Sequence, residues 1–497
     1  MNAPRDIEPV LTGAYGPVEN EVASDALHVI GEIPPDLNGL YVRNGPNRKY
    51  AAPGRYHWFD GDGMLHGMWF DRGRVRYANR FVATAQLDEE ISAGRALWQG
   101  IKDPPRRDRA SVHAARGGAE GPLKNTSNTD VKFWNGKLIS TWYLGGTPYA
   151  VDPWSLDTLG PIDCDGRLKL PVSAHPKVDA ATGELMFFAY GTRAPYMHYG
   201  VLGADGALKT LIPVELPGAR LPHDMAITPN YSILHDLPLF HDQEALRAGR
   251  HKLKFHHELP SRFAVVPRHG SASEIRWFEA DPGFLYHTVN AWEEGDEIVM
   301  LGTPFRLPRN AQGETDCTRF AQMIGNLETD CGYYEWRFNL KTGATRERAL
   351  SDLVNTEFPV INAARQGTRT HHAWSLLMGP SRQPEEPRFA GLVQFNAATG
   401  AMQTWSEGPE NWYSEAPFAP RDGATEENDG YLVGFVWNAA DARSECQVFD
   451  AREIGRGPLA RIITPQRVPH GFHAAWVGAE ALKSAPTKGF RGASVTQ

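Results

Sequence analysis

Three copies of one turn constrain what this chain can fold into more than any other feature. Asp179-Ala180-Ala181-Thr182-Gly183, Asn339-Leu340-Lys341-Thr342-Gly343 and Asn396-Ala397-Ala398-Thr399-Gly400 each follow an apolar β-prone run and precede another. The Asp or Asn side chain bonds its own backbone two residues on, and the Gly takes the left-handed position. A related hairpin spans residues 131–140 (VKFWNGKLIS), where Asn135-Gly136 supplies the two positive-φ residues of a type I′ turn. Residues 70–77 (FDRGRVRY) form a further hairpin. Sustained helical periodicity is confined to short stretches near 89–97, 242–248 and 311–324.

Hairpins repeated over 497 residues predict an all-β architecture, and a β-propeller suits them because radial blades leave few open edges. Seven blades would take about 71 residues each, well above the roughly 40–45 of compact propeller repeats, so long loops must account for the excess. No Ser/Gly run, Pro run or charge block divides the chain. The expectation is one propeller domain over residues 21–481, a loose N-terminal segment over 1–20 and a loose tail over 482–497.

With 41% hydrophobic and 22% charged residues, the chain has the composition of a folded globular protein. A net charge of -8 argues against a nucleic-acid partner. No run of 18 apolar residues predicts a spanning helix. The four Cys contain no C-x-x-C pair, and the start lacks the apolar stretch of a signal peptide, so a cytoplasmic location is expected. Peripheral membrane contact stays open, because a surface patch needs no spanning helix.

Among 18 His, four lie where a short apolar strand meets a turn: His175, His223, His287 and His473. They are 48, 64 and 186 residues apart, and none forms the H-E-x-x-H pattern of hydrolytic zinc sites. If each stood on the inner strand of a different blade, four neutral imidazoles would converge on the axis and suit Fe(II), Zn(II) or Cu(II). Spacing alone leaves separate structural histidines as the alternative.

Six segments in order resemble the carotenoid cleavage oxygenase family over nearly the whole chain. They are residues 33–47 (IPPDLNGLYVRNGPN), 59–66 (FDGDGMLH), 174–177 (AHPK), 223–228 (HDMAIT), 289–295 (VNAWEEG) and 469–473 (PHGFH). The resemblance implies a seven-bladed propeller with a dome of loops and short helices over the face that carries the active site. It implies one Fe(II) per chain, held by His175, His223, His287 and His473, with His470 a bystander. Three Glu buttress ligand imidazoles in the family, and two match here, Glu357 and Glu415. Where the third is expected, this chain has Tyr143 or Leu144.

The implied reaction is cleavage of a C=C bond by O2 to give two carbonyl products, on a carotenoid or apocarotenoid. The alternative substrate is a stilbene or phenylpropanoid, and a metal-free propeller scaffold is the alternative from another class. The stilbene-cleaving branch uses a Lys and a Tyr, whereas residues 139–148 here contain no Lys and Trp98 stands near the expected Tyr. Phe59, Trp142, Tyr143 and Phe472 are candidates for an apolar substrate tunnel, with plain core packing as the other reading. Leu97, Trp98 and Ile101 are candidates for a membrane-facing patch or a buried face.

Overall fold

Central strands of the hairpin stacks, such as Leu185–Tyr190 and Gly430–Asn438, are buried along almost their whole length, which a sheet covered on both faces accommodates. The computed structural model describes residues 8–52, 54–103, 123–242, 244–245, 252–380 and 385–485. It arranges them as a β-propeller of seven antiparallel blades, with one further two-stranded sheet outside the blades. In Gly430–Asn438 eight of nine residues are buried, whereas the outer strand Leu208–Glu215 alternates between half-buried and exposed positions along most of its length. That change of pattern separates blade centre from blade rim.

The innermost strands of successive blades begin at Asp130–Trp134, Lys177–Val178, Ala226–Ile227, Leu285–Glu294, Thr356–Val360 and Asn411–Tyr413. The remaining blade is built from Gly39–Pro46, Gly63–Asp71 and Arg74–Phe81, and its innermost strand comes from the far end of the chain, Ala474–Gly478. Arg43 pairs with Ala474 and Gly39 with Gly478, so the ring closes by joining the two ends.

The three repeated turns form as expected. Asp179, Asn339 and Asn396 accept from the amides of Ala181, Lys341 and Ala398, and Gly183, Gly343 and Gly400 have φ of 69°, 78° and 73°. Asn135 and Gly136 are both at positive φ. The extra length lies in the connections. The helix expected near 89–97 is Ala85–Ala93, placed by Thr84, which caps the Leu87 amide, and ended by left-handed Gly94. Within 311–324 the helix starts only at Cys317 and runs to Gly325, because Asp316 caps the Arg319 amide. Phe320 of this helix packs on Phe255 of the hairpin Leu239–His241/Leu253–Phe255. In the stretch 242–248, residues 243 and 246–248 lie outside the described residues.

Both expected loose ends differ where they are described. Val10, Ala14 and Tyr15, within 1–20, are buried, and Tyr15 packs edge-on against Trp58 and Trp412. Leu482, taken as the start of a loose tail, is buried in the helix Ala479–Lys483, and Ala485 is buried as well. These apolar side chains gain cover by packing into core clusters, Val10, Ala14 and Tyr15 with Trp58 and Trp412, and Leu482 with Leu40 and Val131. Residues 486–497 lie outside the described residues. Among the described residues no helix is long and apolar enough to cross a membrane.

Candidate metal centre and apolar cavity

The four candidate His all stand at the entry to an innermost strand. His175 precedes Lys177–Val178, His223 precedes Ala226–Ile227, His287 lies in Leu285–Glu294, and His473 precedes Ala474–Gly478. Four different blades thus bring together residues scattered over nearly three hundred positions. The ring centroids of His175 lie 4.8 Å from His223, 5.0 Å from His287 and 4.4 Å from His473. His287 is 5.0 Å from His223 and 4.7 Å from His473. One nitrogen each of His175, His287 and His473 falls within 4.8 Å of the others, a spacing that could hold a metal ion.

The outer nitrogens are fixed by carboxylates from neighbouring blades. His287 Nδ1 is 2.5 Å from Glu357 Oε2, and His473 Nδ1 is 3.0 Å from Glu415 Oε1. Thr303 Oγ1 donates to the other oxygen of Glu357, and the Ala474 amide to the other oxygen of Glu415. An imidazole that donates from Nδ1 presents an unprotonated Nε2. The Nε2 atoms of His175 and His287 are buried without any hydrogen-bond partner. Such orphaned nitrogens are costly unless something else binds them. Four neutral imidazoles with carboxylates behind them are a donor set suited to a divalent transition metal.

Electrostatics favour the neutral imidazole at His175 and His223. Burial pushes the pKa of His175 and His223 well below the ordinary value, and the crowding of the other imidazoles adds to it. At His287 burial acts the same way, but the adjoining Glu357 carboxylate reverses the shift and raises the pKa. The backbone is strained where it turns into the site: His175 has φ of 63° and Phe358 has φ of 56°. Non-Gly residues in this region cost about 1–3 kcal/mol and cluster at functional sites. At Phe358 the conformation stacks the ring on His473, with centroids 4.9 Å apart.

One face of the cluster opens into a cavity of about 60 Å³ whose lining includes His223, His287, Glu357 and His473. Phe59, Tyr143 and Phe472 line it, in edge contacts at 5.0 Å and 4.9 Å. Trp142 does not. It lines a separate cavity with Trp98, Lys124 and Tyr56, because it stands just past the end of the strand Lys137–Thr141, where the chain enters a turn closed by the Gly145 amide on Trp142 O. Adjacency to matched motifs therefore misplaced Trp142 and missed Trp58, Tyr286, Phe358 and Phe389, which also line the cavity. Tyr286 and Phe358 directly precede His287 and follow Glu357, so the same signal could have found them. The segment 97–101 is turned inward: Trp98 is buried, and Leu97 and Ile101 are half-buried. His470 packs away from the cluster, between Tyr15, Phe389 and Trp412.

A second cavity of about 530 Å³ also touches the cluster, at His175, His287 and His473, and its largely apolar lining includes the charged residues Lys132, Lys177, Asp224 and Glu415. Lys177 Nζ pairs with Asp224 Oδ1 at 2.7 Å. Tyr143, where a third Glu is expected, has its ring centroid 6.1 Å from that of His223. Among the described residues no side chain is hydrogen-bonded to the His223 imidazole.

Comparison with known proteins adds the relationships. The family described as retinal pigment epithelial membrane protein matches residues 15–478. A carotenoid 9,10(9',10')-cleavage dioxygenase of Crocus sativus is 34% identical over 504 residues, covering 95% of this chain and 90% of that protein. A carotenoid cleavage oxygenase of Mycobacterium tuberculosis is 29% identical, covering 94% and 97%. In structure, the lignostilbene dioxygenase of Pseudomonas brassicacearum superposes with a TM-score of 0.81 at 30% identity, covering 96% of this chain and 100% of that one. A variant of Synechocystis apocarotenoid oxygenase superposes with a TM-score of 0.78 at 25% identity, covering 93% and 97%.

Proposed function

Because this chain belongs to the carotenoid cleavage oxygenase family, and relatives in it are named as carotenoid cleavage dioxygenases, we propose that it is an Fe(II)-dependent dioxygenase of a carotenoid or apocarotenoid. The observation that carries this reading is the convergence of four imidazoles, backed by Glu357 and Glu415, at the end of an aromatic cavity. His175, His223, His287 and His473 would hold one Fe(II) per chain, and that ion would supply the activation of O2. Glu357 and Glu415 each hold a ligand proton at Nδ1, which keeps the facing Nε2 free to bind metal. Phe59, Tyr143 and Phe472, with Trp58 and Phe389, exclude water and lay the double bond against the cluster. O2 delivers one oxygen atom to each carbon of the cleaved bond, so two aldehydes form and no external reductant is needed.

The cavity lining also bears on substrate class. Its hydroxyl groups come from Thr129, Tyr143, Tyr286 and Thr329, and among the described residues no Lys or Arg lines it. A phenol that must be ionised before cleavage would want a cation nearby, whereas a polyene asks only for apolar walls. This favours the carotenoid reading. The stilbene reading is kept as the second, on the strength of the lignostilbene dioxygenase superposition.

The test is aerobic incubation of the iron-loaded protein with apocarotenals and, separately, with hydroxystilbenes, identifying the aldehydes under ¹⁸O₂. Labelled apocarotenoid aldehydes are the expected result. Cleavage of hydroxystilbenes alone would transfer the assignment to the second reading, and no product from either would overturn both.

A further inference from the structure

Four of the seven blades contribute a candidate ligand His from the innermost strand or its entry, and two of the other three contribute Glu357 and Glu415 from the same layer. The seventh blade contributes Asp130, the first residue of its innermost strand Asp130–Trp134. Asp130 is 0% exposed, and its Oδ2 lies 3.7 Å from His175 Nδ1. Its other oxygen is already engaged: Oδ1 accepts from the Val131 amide at 2.8 Å and pairs with Lys132 Nζ at 3.1 Å. Oδ2 has no hydrogen-bond partner.

A carboxylate placed only to cap Val131 and hold Lys132 would need Oδ1 alone. Leaving the second oxygen of a fully buried carboxylate unpaired is costly, and the group that Oδ2 faces is the one ligand imidazole next to it. The geometry points to Asp130 as the positioning residue of His175, a third carboxylate behind the cluster that serves a different imidazole from His223, beside which Tyr143 stands. The inference rests on the metal reading above. An approach of about 0.8 Å would bring the 3.7 Å pair to ordinary hydrogen-bond length, roughly 2.9 Å. Charge supports the same arrangement. Asp130, Glu357 and Glu415 with Lys132 leave two net negative charges around the cluster, the complement of one divalent cation, while Lys177 and Asp224 cancel each other.

The experiment is a titration of the full chain with Fe(II), and with Co(II) as a spectroscopic probe, against a competing chelator. Asp130→Asn keeps an oxygen for the Val131 amide and removes the charge. It is expected to weaken both metals about 10–100-fold and to shift the Co(II) visible bands, as partners behind a ligand His commonly do. Asp130→Glu, which retains the charge, is expected to recover most of the affinity and serves where Asp130→Asn fails to fold. In a His175→Ala background Asp130→Asn should change the remaining affinity no further. Wild-type affinity and bands in Asp130→Asn, or an equal loss in both backgrounds, would overturn the role of Asp130 while leaving the metal reading intact. A wild-type chain that binds neither metal would overturn both.

Discussion

His473 Nδ1 and Glu415 Oε1 lie 3.0 Å apart, although the two residues belong to different blades and are separated by 58 positions. The contact exists because the last innermost strand, Ala474–Gly478, joins the first blade and so lies beside the preceding one. The carboxylate is bound at both oxygens, by His473 and by the Ala474 amide. Glu415→Gln keeps the size and an acceptor while removing the charge. It is expected to lower iron affinity about 10–100-fold with the fold retained, measured as iron per chain after dialysis against a weak chelator and as circular dichroism.

The approach of His473 also depends on a missing side chain. A Cβ on Gly471 would stand 2.7 Å from Asn44 O and 2.8 Å from Arg43 Cζ, and neither can retreat, since Arg43 and Asn44 are buried. The flanking backbone is stitched to the first blade by Phe472 N–H to Asn44 O and Asn44 N–H to His473 O, both at 2.9 Å. Gly471→Ala should push this segment outward and displace His473. The expected outcome is loss of most bound iron together with a lower thermal midpoint, whereas Gly400→Ala, in an open turn with nothing within 4 Å of the added carbon, should leave iron content unchanged.

Phe59 and Trp142 separate substrate binding from packing. Phe59 lies between the two cavities and lines the one beside His223 and His473, whereas Trp142 lines only the second. Phe59→Ala is expected to raise KM several-fold with bound iron unchanged. Trp142→Phe should leave KM within about twofold and show its effect as a stability loss of about 1–3 kcal/mol from the smaller ring. Steady-state kinetics on an apocarotenal and chemical denaturation distinguish the two.

Arg268 ties two blades together. It donates to Asp179 Oδ2 in the first repeated turn at 2.5 Å and to Thr228 O at 2.5 Å, and it is buried. Burial alone would raise the Asp179 pKa, but the bond to Arg268 and the turn amides hold it below the ordinary carboxylate value. A carboxyl whose folded pKa is depressed stabilises the fold fully above its unfolded value, about 3.9, and the contribution disappears as pH falls through the lower folded value. Arg268→Met should therefore cost about 3 kcal/mol at neutral pH, as removing one member of a buried pair does. It should also flatten the loss of stability below about pH 4, checked by thermal melts from pH 7 to pH 2.

Local chemistry was legible in the residues. Asp179, Asn339 and Asn396 with their glycines specify turns within five positions, because both the side-chain bond and the left-handed residue lie inside the motif. The four His were singled out as strand-entry residues, and the structure brings their rings within 4.4–5.0 Å for the pairs in contact. The ends of the chain were misjudged because Val10, Tyr15 and Leu482 are apolar residues without periodic context, and only the neighbouring blades show what covers them.

By itself, then, the sequence determined that this protein is a ring of hairpins and named the imidazoles that such a ring could bring to its axis, since turn formation depends on residues a few positions apart. Tertiary structure decided the rest: that strand Ala474–Gly478 closes the ring, that Trp142 turns away from the cavity Tyr143 enters, and that Asp130 stands behind His175. Those relations are set by blade closure and by where the chain leaves a strand and turns, and both depend on pairings between distant parts of the chain.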